Sequence, residues 1–298
     1  MRTEEKTSPD RLTRWACRVA WLFAAELLLI WALGSITAWH GDDAILQASS
    51  IIGGLAWLAA VLTLRAPSSS AWAAWRGTLL FAVSWLIFPL FKAIRAGWIQ
   101  HTMDAPLLAL DRVLWGGLSL PEHALALEQV WLSEVLSAGY FAFYFVVLVP
   151  VIWFAYRRAQ RESLLFFLGL HLMYLLGFVG YLLVPAGGPY MTFPEVFPYP
   201  PQGGAITHFL TGVVAQGVTG MDVFPSLHSG ISAYVWGFCL LGGRRYRAAA
   251  IVLAPVLLSI VVATVYLRYH YGIDLLAGMV LALGVLWVVQ SVSVKGRG

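Results

Sequence analysis

Eight stretches of this chain are apolar over lengths that cross, or nearly cross, a lipid bilayer, and no other feature constrains its fold so tightly. A helix traverses the hydrocarbon core with about 20 predominantly apolar residues. Runs of that kind occupy residues 15–39, 50–64, 77–94, 135–156, 164–184, 228–241, 248–267 and 273–292, the second and sixth being short and expected to extend beyond these limits. Inside a bilayer no water pairs with backbone N–H and C=O groups, so such segments satisfy them within helices. Composition closes the alternatives. The chain is 60% hydrophobic and 11% charged, where an ordinary soluble domain is roughly half apolar and a quarter charged. A soluble protein this apolar would expose large patches and aggregate, and a disordered one would be polar and poor in aromatics. The fold class expected is all-α: a polytopic membrane helical bundle of about eight transmembrane helices. Residues 15–39 follow a basic N-terminus. Their apolar stretch is too long for a secretory signal, and no clear small-residue cleavage site accompanies Gly41-Asp42-Asp43, so they read as a retained helix.

The formal net charge of +4 comes from basic residues clustered in short loops, which is the pattern of cytoplasmic membrane loops and not of a nucleic-acid-binding face. Arg2, Lys6, Arg11 and Arg14 precede the first run; Arg65 and Arg76 bracket the loop after the second; Arg157, Arg158 and Arg161 follow the fourth; Arg244, Arg245 and Arg247 follow the sixth; Lys295 and Arg297 follow the eighth. Every second loop is basic, so both termini are expected on the cytoplasmic side. Residues 185–227 contain no Lys or Arg and belong to the opposite face. Cys17 and Cys239 lie far apart inside apolar runs and read as small core residues, with neither a metal spacing nor a disulfide framework.

Two outer segments are long enough to hold structure. Residues 121–134 carry Leu125, Leu127, Val130 and Trp131 near helical spacing, the signature of a helix lying on the membrane surface. Residues 185–225 are rich in Gly and Pro, with a short helix expected over 207–216, and read as a cover over a site. No internal repeat is visible, which disfavours an inverted-repeat transporter.

Polar groups at membrane spans are expensive and mark function. They are densest in two strings. In the first, Gly220-Met221-Asp222-Val223-Phe224-Pro225-Ser226-Leu227-His228-Ser229, Pro225 and Ser226 signal a helix start whose free N–H groups suit a phosphate. Ser226 adds a hydroxyl there and His228 a titratable donor. In the second, Tyr266-Leu267-Arg268-Tyr269-His270-Tyr271-Gly272-Ile273-Asp274, His270 and Asp274 are four apart and would share a helix face. A carboxylate beside an imidazole fixes its tautomer and stabilises its cation, leaving the other nitrogen as a nucleophile. Arg268 supplies a permanent fork of donors for phosphate oxygens. Either string alone is common by chance; the two on one membrane face, in a chain with seven His, are far more specific. The remaining histidines read otherwise: His171 as a helix–helix hydrogen bond, and His40, His101, His123 and His208 as solvated loop or span-end residues.

At these residues the sequence resembles the type 2 phosphatidic acid phosphatase superfamily, whose signature has a Pro-Ser-Gly-His-like motif followed some tens of residues later by His-x-x-x-Asp. Pro225-Ser226-Leu227-His228 and His270 with Asp274 match in order and spacing, Leu227 standing where Gly is usual. The fuller strings around them resemble the inositol phosphorylceramide synthase-like branch, as do Asp111 through Pro121, Tyr140 through Tyr144 and Val184 through Pro189; the likeness spans roughly 111–278. It implies that His270 is the nucleophile, Asp274 its orienter, His228 the acid for the leaving group and Ser226 a phosphate ligand. It also implies substrate contacts from Gly188, Pro189 and Tyr190. Three departures stand out: the superfamily's early Lys-x6-Arg-Pro motif is absent, Tyr190 follows Gly188-Pro189 where an Arg is often found, and Thr264 replaces its Arg six residues before the nucleophile. Arg268 is the candidate for that missing charge.

The expectation is an integral membrane enzyme of the bacterial inner membrane, with its site on the extracytoplasmic face. Residues 1–66 would form an N-terminal membrane region with two extra helices, and 67–298 a six-helix phosphatase-like core. It would act on a phospholipid or isoprenoid phosphate through a phosphohistidine, passing the group to water or to an alcohol, with the branch resemblance tilting the acceptor toward an inositol-type alcohol. Membrane lipid is the partner, nucleic acid is not, and no cofactor or metal is implied. A polyprenyl (di)phosphate phosphatase is the neighbouring alternative; a lipid transporter or scramblase is the alternative from another class, for which Glu26, Ser84 and His171 are the main mid-span polar groups.

Overall fold

The computed structural model describes residues 11–65, 70–156 and 160–294. Its helices run α1 (Arg11–Ala38), α2 (Ala44–Arg65), α3 (Ser70–Ile87), α4 (Leu90–Trp98), α5 (Asp104–Leu114), α6 (Leu120–Leu125), α7 (Val130–Tyr156), α8 (Gln160–Leu183), α9 (Pro189–Thr192), α10 (Ala205–Gly217), α11 (Leu227–Leu241), α12 (Arg247–Tyr266) and α13 (Gly272–Val294). Among the described residues every regular element is helical. Six helices, α1, α2, α7, α8, α12 and α13, are long and apolar enough to cross a membrane, and α3 with α4 makes a seventh if counted as one span. Of the basic residues behind the expected orientation, Arg2, Lys6, Arg157, Arg158, Lys295 and Arg297 lie outside the described residues.

Four expectations change. The run 77–94 is not one straight helix: it bends by 49° between α3 and α4. Pro89 sits at the break, where its ring and missing N–H disrupt the preceding turn. The sixth run stays short, because Ser226 caps α11 at one end and Gly242 closes it at the other, leaving 15 residues. The surface helix expected over 121–134 divides into α6 and the first turn of α7. Its start is fixed by a capping box in which the Ser119 side chain accepts from Glu122 N–H while the Glu122 carboxylate accepts from Ser119 N–H. Elsewhere the second run lengthens into α2, and the short helix expected over 207–216 is α10. Cys17 is exposed on α1 and is not a core residue, whereas Cys239 is buried.

The centre of the bundle is α11, packed against α7, α8, α12 and α13. On the other side of α8 lie α1 and α3, with α2 and α4 packed on them. Aromatic residues fill the seam: Phe23 of α1 packs on Tyr174 and Phe178 of α8, and Phe91 of α4 on Phe178 and Tyr181. His171 is buried and donates from Nε2 to the Gly77 carbonyl at 3.1 Å, a bond between α8 and α3 as expected. The N-terminal ends of α11 and α13 meet at one end of the bundle, where Ser226 N–H donates to the Asp274 carbonyl at 3.0 Å. Only glycine fits at 278, because a Cβ there would run into the Ser226 carbonyl.

Candidate active site

His270 does not lie on a helix; it precedes α13 by two residues. Its pairing with Asp274 is therefore made by the turn into α13, not by a shared helical face. Nδ1 of His270 lies 3.2 Å from Oδ2 of Asp274, which also accepts from Tyr271 N–H at 3.2 Å. The pair is almost fully buried. With Nδ1 committed to the carboxylate, Nε2 is the free nitrogen, and it lies 3.4 Å from Nδ1 of His228 on the first turn of α11. His228 is flanked by two rings of α7, Tyr140 at 4.7 Å and Phe143 at 4.4 Å between centroids.

Both histidines line a cavity of about 290 Å³ that also takes in Arg268, Tyr190, Asp222 and Tyr269. Its other wall is apolar and aromatic: Trp85, Phe88 and Pro89 from the α3–α4 bend, Tyr144 from α7, and Tyr174 and Phe178 from α8. Val213, Val214 and Gly217 of α10 border it too, so the 185–225 segment forms part of the wall. Glu134 of α7 fastens α10 in place, its carboxylate accepting from Ile206 N–H at 3.2 Å and Thr207 N–H at 2.8 Å.

Arg268 is fully buried and has φ of 60°, a conformation costly for a side chain of its size. Nη1 pairs with Glu128 at 2.9 Å and Nη2 donates to the Tyr199 carbonyl at 3.4 Å, while Nε is buried without a hydrogen-bond partner. Among the described lining residues it is the one permanently charged cation. Thr264, standing where the superfamily carries Arg, is buried and donates to the Val261 carbonyl. Burial pushes the Tyr269 phenol up to about 12. Tyr190 is raised as well, again by burial, with Arg268 opposing.

The remaining residues singled out by sequence have supporting positions. Ser226 is fully buried outside the cavity lining, and its hydroxyl engages Ser229, accepting its N–H at 3.4 Å. Gly188 and Pro189 also lie outside the lining. Gly188 has φ of 93°, and a Cβ on it would approach the Tyr269 carbonyl to 2.5 Å. Tyr190 N–H donates to the Arg268 carbonyl at 3.2 Å, so this turn is stitched to the His270 loop. His40, His101, His123 and His208 are exposed, as expected.

Two carboxylates to which the sequence assigned no role hold the loops together. Asp104 and Asp111, buried on α5, are two turns apart and share a face. Asp104 accepts from Gly187 N–H and Gly188 N–H, both at 2.9 Å, and from the Tyr271 hydroxyl at 2.8 Å. Asp111 accepts from Ile273 N–H at 2.7 Å, from Leu120 N–H and from the Trp115 indole. The seven-residue spacing of two acids on an apolar helix was the available signal. Among the described residues no group of three or more His, Cys, Asp or Glu side chains is arranged to hold a metal ion.

A carboxylate-backed imidazole thus faces a second imidazole, in a cavity at one end of a polytopic helical bundle. The family follows from comparison. A model of the PAP2 superfamily matches residues 105–288, well over half of the chain, and the protein belongs to that superfamily. No curated protein and no solved structure matches it. The matched region begins after α4, so the bend that contributes Trp85, Phe88 and Pro89 to the cavity lies outside it.

Proposed function

We propose that this protein is a membrane phosphatase or phosphotransferase that takes the phosphoryl group of a phospholipid or isoprenoid phosphate onto His270. The observation that carries the reading is the orientation of His270, whose Nδ1 faces Asp274 and whose Nε2 faces His228 and the cavity. In the first step Nε2 of His270 bonds to phosphorus while the P–O bond to the lipid alcohol breaks, and His228 gives its proton to the departing oxygen. In the second step water or an alcohol bonds to phosphorus, the P–N bond breaks, and the incoming hydroxyl's proton goes to His228. Asp274 keeps the tautomer and stabilises the charge that His270 acquires. Arg268 supports the anion through its fixed positive charge.

The aromatic wall formed by Trp85, Phe88, Tyr174 and Phe178 supports a substrate with a hydrocarbon chain, since apolar surface is what such a chain displaces water from. It also supports counting α3 with the core that begins at residue 67. The likeness of the two motif strings to the inositol phosphorylceramide synthase-like branch supports an alcohol acceptor. The alternating basic loops support cytoplasmic termini, an inner-membrane location and an extracytoplasmic site. A transporter is less supported, because two of its three mid-span polar groups, Ser84 and His171, spend their polar atoms on the carbonyls of Phe81 and Gly77, leaving Glu26 alone without a hydrogen bond.

The test is phosphate release by the purified protein from phosphatidic acid and from an isoprenyl phosphate, with organic products separated by thin-layer chromatography. Cleavage of either, abolished by His270→Ala, is the expected result. Lipid movement between leaflets without cleavage of any lipid phosphate would overturn the reading.

A further inference from the structure

Asp222 has no part in the steps above, yet it lines the same cavity as His228 and His270. Its position is locally fixed. Oδ1 accepts the Thr219 hydroxyl at 2.8 Å and Thr219 N–H at 3.2 Å. Between them Gly220 takes φ of 77°, where glycine meets no steric cost, and Met221 is fully buried. Among the described residues Asp222 belongs to no salt bridge. Burial raises its carboxyl above the usual range, with the Thr219 bonds and the His270 charge opposing.

A carboxylate without a salt-bridge partner, in the same cavity as His270, repels a phosphoryl group bound there. Its presence on a built turn therefore calls for a ligand group that is not anionic and gains from a strong acceptor. A hydroxyl fits, because hydrogen bonds to ionised oxygen are shorter and about twice as strong as neutral ones.

We propose that Asp222 binds the acceptor alcohol, and that the acceptor carries at least two hydroxyl groups. One hydroxyl donates to Asp222 while its neighbour attacks the phosphoryl group on His270. The new O–P bond forms as the P–N bond to Nε2 breaks, the proton of the attacking hydroxyl passes to His228, and the hydroxyl on Asp222 keeps its proton. Water, with a single oxygen, cannot occupy both places, so Asp222 favours a polyol over hydrolysis. This inference rests on the function proposed above.

The experiment uses the full chain with the lipid phosphate it cleaves, glycerol as probe acceptor and 1-propanol as the one-hydroxyl control, reading free phosphate against glycerol phosphate and propyl phosphate. Wild type should form glycerol phosphate in preference to propyl phosphate. Asp222→Asn and Asp222→Ala should lower the glycerol-transfer to hydrolysis ratio about tenfold or more, and the propanol ratio less than about threefold, as loss of one charge-assisted hydrogen bond predicts. Asp222→Asn is close in shape and keeps the comparison valid if the Ala variant fails to fold. An unchanged glycerol ratio, an equal fall for both alcohols, or a wild type that hydrolyses without transferring to glycerol would overturn the role of Asp222 alone. A folded wild type that cleaves no lipid phosphate would instead overturn the function beneath it.

Discussion

His270 and His228 stand with Nε2 and Nδ1 only 3.4 Å apart, although they lie on separate elements 42 residues distant in sequence. An attacking nitrogen needs roughly 3–3.5 Å to the phosphorus, and the leaving oxygen lies beyond it. The two imidazoles must therefore separate as substrate enters. His270 is tied to Asp274 on the far side, so His228, held by ring contacts with Tyr140 and Phe143 alone, is the ring that yields. In the mechanism proposed above, the fixed ring is the nucleophile and the adjustable one the proton donor.

Asp274→Asn tests the tie. The substitution keeps shape but loses the charge and favours the wrong tautomer of His270, so kcat should fall by a factor of roughly 10²–10⁴. Thermal melting should stay close to wild type. Steady-state rates on the cleaved lipid phosphate, read beside a melting curve, check this; a rate within a few-fold of wild type contradicts the orienting role.

Gly188→Ala tests the turn beneath the site. A positive φ and an approach of 2.5 Å to the Tyr269 carbonyl leave no room for a methyl group. The cost should be about 1–3 kcal/mol, the range for strained backbone positions, and activity should fall with it because Tyr269 adjoins His270. Asp104→Asn, which weakens the acceptor of the Gly187 and Gly188 N–H groups, should act in the same direction. Equal melting and activity in both variants would remove the turn from the account.

The Arg112–Glu122 pair gives a pH signature. The Arg112 guanidinium bonded to it holds the Glu122 carboxyl down to about 2, with the Ser119 bonds adding and burial opposing. A folded pKa below the unfolded one means stability that is present above about 4.5 and is lost as pH falls toward 2. Melting of wild type should therefore drop across that window more than melting of Glu122→Gln. At neutral pH the variant should be less stable by about 1 kcal/mol, as for a well-formed surface pair with a capping role. Parallel pH curves would contradict this.

Sidedness is tested by single cysteines in a background without Cys17 and Cys239. His208→Cys on α10 and Arg244→Cys after α11 are exposed positions at opposite ends of the bundle. An impermeant thiol reagent applied to intact cells should label the first and spare the second. Labelling of both from outside, or of the second alone, contradicts the extracytoplasmic site.

Apolar run length made the helical bundle legible because each span carries its own run, and two contiguous strings pointed to His228, His270 and Asp274, which the fold brings together. It was blind where the signal lies in tertiary partners. Asp104, Asp111 and Glu128 act on the site by accepting from backbone N–H groups of residues 187, 188, 273 and 202 and from the Arg268 guanidinium. Backbone donors leave no trace in residue identity. The bend at Pro89 was hidden for another reason: hydropathy is the same on both sides of it, and only the proline marks the break. Arg268, read as a phosphate ligand, proved to be largely engaged by Glu128 and Tyr199, contacts made from segments some 70 and 140 residues away.

In the mechanism proposed above, His270 carries the phosphoryl group. Rapid quench of the full-length protein with a lipid donor radiolabelled in its phosphate should trap a protein adduct that is acid-labile and base-stable. The adduct should map to His270, vanish in His270→Ala, and persist in His228→Ala when the leaving group is an activated ester. An adduct of undiminished yield in His270→Ala, or turnover by wild type with no adduct at any time point under conditions that trap other phosphohistidines, would contradict it.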